Sequence, residues 1–245
     1  MKLDGLEIET LRIGPTSGST LVFLHEGLGS IGQWRDFPQR LSQATGLGAF
    51  IYSRAGYGKS DPEPMPRPVT YMHEEALKLP RILRAAGIGD AILVGHSDGA
   101  SIAILHAGAH ACRGLILEAP HVFTEPMGLG SIEQAREAYE HGDLKGRLAK
   151  WHQNVDAAFW GWNVPWLHPD FRAWNLEASL PGIKAPILVI QGVNDEYGTR
   201  AQVDAIAAKA PKVTTLLLDE CGHAPHKDQP EATLQAMTRF VQSLP

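Results

Sequence analysis

Residues 91–101 read AILVGHSDGAS, an apolar run followed by a glycine-flanked serine and a second small-residue segment. Residues 91–94 form a short apolar run that is typical of a strand buried on both faces. Residues 95–99 (GHSDG) match G-x-S-x-G, in which a serine occupies a sharp turn between a strand and a helix. Glycine is expected at both ends because a Cβ in such a crowded turn would collide with a neighbouring element. By itself, the pentapeptide is equally consistent with an ordinary turn.

The overall composition is that of a globular protein with a substantial core. The chain has 245 residues, 44% hydrophobic and 20% charged, which fits one domain with a small insertion. The net charge is −5 and no run of Lys or Arg occurs, which argues against nucleic acid and anionic membranes as partners. Cys112 and Cys221 are the only cysteines, so neither a disulfide framework nor a paired-cysteine zinc site is expected.

The chain also shows no feature of a membrane or secreted protein. No apolar run reaches the roughly 18 residues that a spanning helix needs. Residues 1–14 alternate apolar and polar side chains and lack the apolar centre of a signal peptide. We therefore predict that this segment is a first strand and that the protein is cytoplasmic.

Apolar strands alternate with helical segments on both sides of one irregular region. This alternation predicts an α/β fold with a mostly parallel sheet that is flanked by helices. Residues 123–181 interrupt the pattern and contain five of the six tryptophans, so we predict an insertion there. Strands are predicted at residues 3–13, 20–24, 49–52, 91–94, 114–117, 186–191 and 213–218.

A serine hydroxyl becomes an effective nucleophile when a histidine, itself held by a carboxylate, removes its proton. In a parallel sheet such groups gather at the carboxyl ends of the strands. Asp195 follows the strand at 187–191, and His223 lies on the loop after the strand at 213–218. The chain therefore carries a serine, an acid and a histidine in the order Ser97, Asp195, His223.

Five motifs in the same order make the chain resemble the α/β-hydrolase family, as a serine esterase-like member, over nearly its full length. They are 25–29 (HEGLG), 54–61 (RAGYGKSD), 95–99 (GHSDG), 192–195 (GVND) and 222–223 (GH).

The resemblance implies that residues 1–245 form one α/β-hydrolase domain, with a helical cap at residues 123–181. It also implies that Ser97 is the nucleophile, Asp195 the acid and His223 the base. Chemistry of this kind needs neither a metal nor an organic cofactor.

The oxyanion that forms during acyl transfer needs two preorganised donors. One is expected to be the backbone N–H of Asp98, directly after the nucleophile. The other is expected from Gly27 or Leu28, in the loop after the strand at 20–24. Family members often begin this loop with His-Gly, whereas Glu26 follows the histidine here, which leaves the register of the second donor open.

Several acids and histidines compete with these assignments. Glu118 is an alternative acid to Asp195 because it follows the strand after the serine turn, where some family members carry the acid. His25 and His96 are predicted to have structural roles. His226 has no strand before it and is predicted to be exposed.

Four residues are candidates for binding a substrate. Asp98 could attract a cationic group, or it could stabilise the start of its helix. His121 could line the pocket or be an ordinary loop histidine. Trp160 and Trp162 could line an apolar pocket or form the core of the predicted cap.

We predict a serine hydrolase that cleaves a small carboxylic ester or lactone; its expected partner is this small-molecule substrate, and the sequence leaves its oligomeric state open. Two alternatives remain open, because fold and residue order do not determine the substrate. One is a hydrolase of carbon–carbon bonds in ring-cleavage products. The other is a non-catalytic receptor for a small ligand on the same scaffold.

Overall fold

A computed structural model describes the whole chain, Met1–Pro245. Its strands are β1 (Lys2–Leu3), β2 (Leu6–Glu7), β3 (Thr10–Ile13), β4 (Thr20–Leu24), β5 (Gly48–Tyr52), β6 (Ala91–His96), β7 (Gly114–Glu118), β8 (Ile187–Gly192) and β9 (Val213–Leu218). Its helices are α1 (Phe37–Thr45), α2 (Tyr71–Ala85), α3 (Asp98–Ala109), α4 (Pro126–Glu140), α5 (Leu144–Leu148), α6 (Val155–Leu167), α7 (Arg200–Lys209), α8 (Pro225–Asp228) and α9 (Pro230–Ser243). Short 3₁₀ helices span Ile31–Trp34, Pro169–Ala173 and Glu177–Gly182.

The central sheet has seven strands in the order β3-β5-β4-β6-β7-β8-β9. Every neighbouring pair from β5 to β9 is parallel, and β3 pairs antiparallel with β5 at one edge. Strands β4 to β8 are buried along their whole length, as continuous apolar runs predict for a sheet that is covered on both faces. The predicted mostly parallel sheet is thus confirmed.

The N-terminal segment differs from its prediction as a single strand. Asp4 and Gly5 adopt positive φ values of 54° and 87°, in a conformation that short polar residues and glycine tolerate best. The turn that they form divides the segment, so that β1 and β2 make a separate hairpin before β3 joins the sheet.

Each face of the sheet supports its own apolar core. In β4, Val22 and Leu24 pack into one core, whereas Leu21 and Phe23 pack into the other, as the alternation of side chains along a strand requires. The second core contains residues of α1 and α9. The first contains residues of α2 and α3 together with the tryptophans Trp162, Trp166 and Trp174.

The region between β7 and β8 is largely helical. It contains α4, α5, α6 and two of the 3₁₀ helices, and it packs over the same face of the sheet as α3. Its first helix, α4, begins at Pro126, because proline is well tolerated in the first turn of a helix. No helix in the chain is both long and apolar enough to cross a lipid bilayer.

Candidate active site

Ser97 lies at the sharp turn between β6 and α3. Its backbone has φ 54° and ψ −118°, an uncommon conformation for a residue with a side chain. A Cβ on Gly95 would lie 2.6 Å from the Cα of Ala100, and one on Gly99 would lie 2.0 Å from the carbonyl oxygen of Leu24. The crowding expected at both glycines is therefore confirmed.

The structure brings Ser97, His223 and Asp195 together at the carboxyl ends of the strands. The Nε2 atom of His223 is 2.9 Å from the Ser97 hydroxyl oxygen. The Nδ1 atom is 2.9 Å from each carboxylate oxygen of Asp195. Asp195 also accepts hydrogen bonds from the Gln191 amide at 2.6 Å and the Tyr197 backbone N–H at 2.8 Å. With Nδ1 donating to the carboxylate, Nε2 is free to accept the serine proton.

The electrostatics of Asp195 and His223 agree with this arrangement. Burial lowers the pKa of His223, but the hydrogen bond and negative charge of Asp195 outweigh burial and raise this pKa above its usual 6.5. For Asp195 the directions are opposite: burial raises its pKa, but the hydrogen bond and charge of His223 outweigh burial and lower this pKa below its usual value. An imidazolium at His223 is therefore stabilised by an ionised carboxylate behind it.

The alternative acid, Glu118, lies at the end of β7 and contacts a different histidine. Its Oε2 atom is 2.8 Å from the Nδ1 atom of His226 and accepts the His226 backbone N–H at 3.0 Å. The prediction that His226 is exposed was wrong, because its side chain is only 3% exposed. The short helix α8 directs this ring inward against Trp34, with ring centroids 4.7 Å apart.

His25 and His96 bond to backbone rather than to the serine. The Nδ1 atom of His25 is 2.7 Å from the Glu26 carbonyl, and its Nε2 atom accepts the Arg54 backbone N–H at 3.0 Å. The Nε2 atom of His96 is 2.6 Å from the carbonyl of His223. Burial lowers the pKa of both histidines well below its usual value, so both are neutral at neutral pH.

A cavity of about 230 Å³ opens above Ser97 and His223. Ile132, Leu148 and Trp162 contribute apolar walls from the helical region between β7 and β8. This volume lies below the roughly 300–1,000 Å³ that is common for ligand pockets, which favours a compact substrate.

Of the predicted substrate-binding residues His121, Trp160 and Trp162, two line this cavity and one does not. Trp162 lines it, and so does His121, whose pKa burial lowers to about 3. Trp160 is not in the cavity lining and packs edge-on against Tyr139 and Phe159, with ring centroids 5.6 and 4.9 Å apart.

Asp98 was predicted either to attract a cationic group or to stabilise the start of its helix, and its side chain is fully buried and does not line the cavity. Tyr71 donates its hydroxyl to this carboxylate, and the indole N–H of Trp166 donates to it at 3.2 Å. Burial raises the pKa of Asp98, and the positive charge of Arg54 opposes that shift. The carboxylate thus joins α2, α3 and α6 instead of facing a bound cation.

The loop after β4 carries the second candidate oxyanion donor. The backbone N–H of Leu28 already donates to the Glu26 carboxylate at 2.8 Å, whereas that of Gly27 has no acceptor within the protein. A Cβ on Gly27 would lie 2.2 Å from the Trp162 ring, which explains the glycine. The buried Arg54 guanidinium donates to the carbonyls of His25 and Glu26 at 2.6 and 3.0 Å and so supports the loop from below.

A turn that exposes a serine above a mostly parallel sheet, with a histidine and an acid at later strand ends, defines an α/β hydrolase. The sequence profile of the Alpha/beta hydrolase family matches residues 21–236. The chain belongs to this family, and it is an enzyme of the hydrolase class.

Known proteins similar to this chain include esterases. Esterase YbfF of Escherichia coli K12 is 29% identical over 85 residues, which are 34% of this chain and 32% of YbfF, so the match spans about a third of that protein. The enol-lactonase from Burkholderia xenovorans LB400 shares the fold at TM-score 0.77 and 19% identity, with 98% of each chain covered. The esterase EaEST from Exiguobacterium antarcticum does so at TM-score 0.77 and 20% identity, with 98% of this chain and 97% of EaEST covered.

Proposed function

We propose that this enzyme is a serine esterase or lactonase for small carboxylic esters. The observation that carries the proposal is the continuous contact from Asp195 through His223 to Ser97, with 2.9 Å at each step. Ser97 is partly accessible from a cavity, and its base and acid are already aligned before any substrate binds.

In the proposed reaction, the Ser97 hydroxyl attacks the ester carbonyl while His223 takes its proton. The tetrahedral intermediate collapses to an acyl-enzyme as His223 protonates the departing alcohol. Water, deprotonated by His223, then attacks the acyl group and releases the acid and the free serine. In a lactone the alcohol and the acid are parts of one molecule, so a single hydroxy acid leaves.

The negative oxygen of the tetrahedral intermediate requires donors that are in place beforehand. We assign this role to the backbone N–H groups of Asp98 and Gly27. The first is at the start of α3, where no carbonyl of the helix can accept it, and the second has no acceptor within the protein. One such donor is worth about 2.7–4 kcal/mol of the activation barrier.

The residues that line the cavity favour esters over ring-cleavage products as substrates. Ring cleavage of catechols leaves a carboxylate on the product, and the cavity lining includes no arginine that could hold it. Its lining cation, Lys227, is exposed to solvent. Esterases and a lactonase among the similar proteins agree with this choice. We further propose that residues 123–181 act as the cap, because α6 supplies a wall of the cavity.

The test is hydrolysis of 4-nitrophenyl acetate and butyrate and of small lactones, together with labelling by a fluorophosphonate. We expect turnover and a single label, and we expect Ser97→Ala to lose the label and about 10⁴-fold or more of kcat. Ser101→Ala is the matched control, because this serine is buried in α3 and donates to the His121 carbonyl at 2.6 Å. Labelling that persists in Ser97→Ala, or no turnover of any ester or lactone, would refute the proposal.

A further inference from the structure

Three charged side chains line the cavity above Ser97, and none of them has an ion-pair partner. They are Glu26, Glu196 and Lys227. Glu196 and Lys227 are exposed, so water and salt screen their charges. Glu26 is only partly exposed, and its charge is therefore the least screened of the three.

The Glu26 carboxylate is held in place on the cavity that Ser97 and His223 also line. One of its oxygens accepts the Leu28 N–H at 2.8 Å, so the side chain folds back over the loop that carries the free Gly27 N–H. Its charge reaches the base as well, because Glu26 and Glu196 add to the effect of Asp195 in raising the pKa of His223. Burial, together with both glutamates, raises the pKa of Tyr197 to about 12.

No buried cation in the cavity balances this charge. His121 faces the cavity but is neutral, since burial lowers its pKa to about 3. The Arg54 guanidinium bonds to backbone carbonyls beneath the loop and is absent from the cavity lining. A substrate that carries its own carboxylate would therefore meet a fixed like charge, whereas an ammonium group would meet an opposite one.

We propose that Glu26 determines substrate charge: it excludes acyl groups that bear a carboxylate and favours neutral or ammonium-bearing ones. This inference rests on the proposed esterase activity and specifies the substrate class of the same site. It also gives a physical role to the residue that stands where family members often have glycine.

Three 4-nitrophenyl esters of similar acyl length test the inference: the neutral valerate, the anionic glutarate monoester and the cationic 4-(trimethylammonio)butyrate. After subtraction of spontaneous hydrolysis, kcat/KM of wild type should be at least about tenfold lower for the anionic than for the neutral ester, as expected of two like charges near a protein surface. Glu26→Gln keeps the size and a hydrogen-bond acceptor, and it should reduce this discrimination, the ratio of kcat/KM for the valerate to kcat/KM for the glutarate monoester, about tenfold.

Glu196→Gln is the matched control, because it removes a charge from the same cavity at an exposed position. It should change the ratio less than Glu26→Gln does. An unchanged ratio in Glu26→Gln would overturn the inference, and so would an equal loss on all three esters, which would mean that Glu26 only shapes the loop. If wild type hydrolyses none of the three esters, the proposed esterase function itself fails, and this inference falls with it.

Discussion

Replacing Asp98 by asparagine separates a structural role of this residue from contact with substrate. The side chain is fully buried and accepts hydrogen bonds from Tyr71 and from Trp166, the latter at 3.2 Å. Asparagine has the same shape but only one acceptor oxygen, and it carries no charge to offset the buried Arg54. We therefore expect Asp98→Asn to destabilise the fold rather than to change selectivity.

The magnitude follows from the contacts that are lost. A hydrogen bond to a charged group contributes about 1.5–3 kcal/mol, and asparagine forfeits one of two. The buried positive charge of Arg54 also loses the nearby negative charge of Asp98, which adds to this cost. The free energy of unfolding should therefore fall by about 2–4 kcal/mol. For a chain of this length, a loss of about 3 kcal/mol lowers Tm by roughly 6–12 °C.

The assay is urea and thermal unfolding of Asp98→Asn, combined with turnover of a neutral and an ammonium-bearing ester. Asp219→Asn is the control, because it makes the same change at an exposed site and should stay within about 0.5 kcal/mol of wild type. Trp166→Phe removes one donor, so its effect should be non-additive with that of Asp98→Asn. Unchanged stability with a selective loss on the ammonium-bearing ester would refute this reasoning and place the carboxylate in the cavity.

Three further outcomes are expected. Because the pKa of His223 is raised and catalysis needs the neutral ring, kcat/KM should fall as pH decreases through a value above 6.5, which forms the acidic limb of the pH–rate profile. Asp195→Asn should lower kcat about 10⁴-fold and move this acidic limb to lower pH, as measured by pH–rate profiles. Gly27→Ala should abolish most activity, since its Cβ would lie 2.2 Å from the Trp162 ring, and Gly27→Ala combined with Trp162→Ala should regain part of it in the same ester assay. Glu118→Gln should lower Tm but leave the acidic limb in place, and a shifted limb would identify Glu118 as the acid.

The sequence was sufficient to predict which residues meet Ser97. Ser97, Asp195 and His223 each follow an apolar strand, and a parallel sheet aligns the carboxyl ends of its strands at one edge. Local patterns and one topological rule therefore predict that these residues meet, although they are far apart in the chain.

The direction of individual side chains was harder to predict, because distant segments determine it. Asp98 turns away from the cavity since its partners come from α2 and α6. His226 is buried because it contacts Glu118. Glu118 lies 108 residues earlier in the chain, so the residues around His226 gave no sign of this contact. Helical spacing did hold a usable signal for the tryptophans: Trp162 and Trp166 are four residues apart on one face of α6, and both line the cavity.

The site contains two acid–histidine pairs of the same chemistry, and access separates their roles. Glu118 and His226 are 0% and 3% exposed, so no substrate proton can reach this imidazole. His223 is 15% exposed and faces the cavity, where its Nε2 atom meets the serine. Glu118 accepts the backbone N–H of His226 at 3.0 Å and thereby holds the chain three residues beyond the proposed base. The buried pair Glu118–His226 thus positions the loop that carries His223 of the other pair. Which acid serves the proposed base therefore depends on which histidine reaches the cavity, and not on the strand that the acid follows.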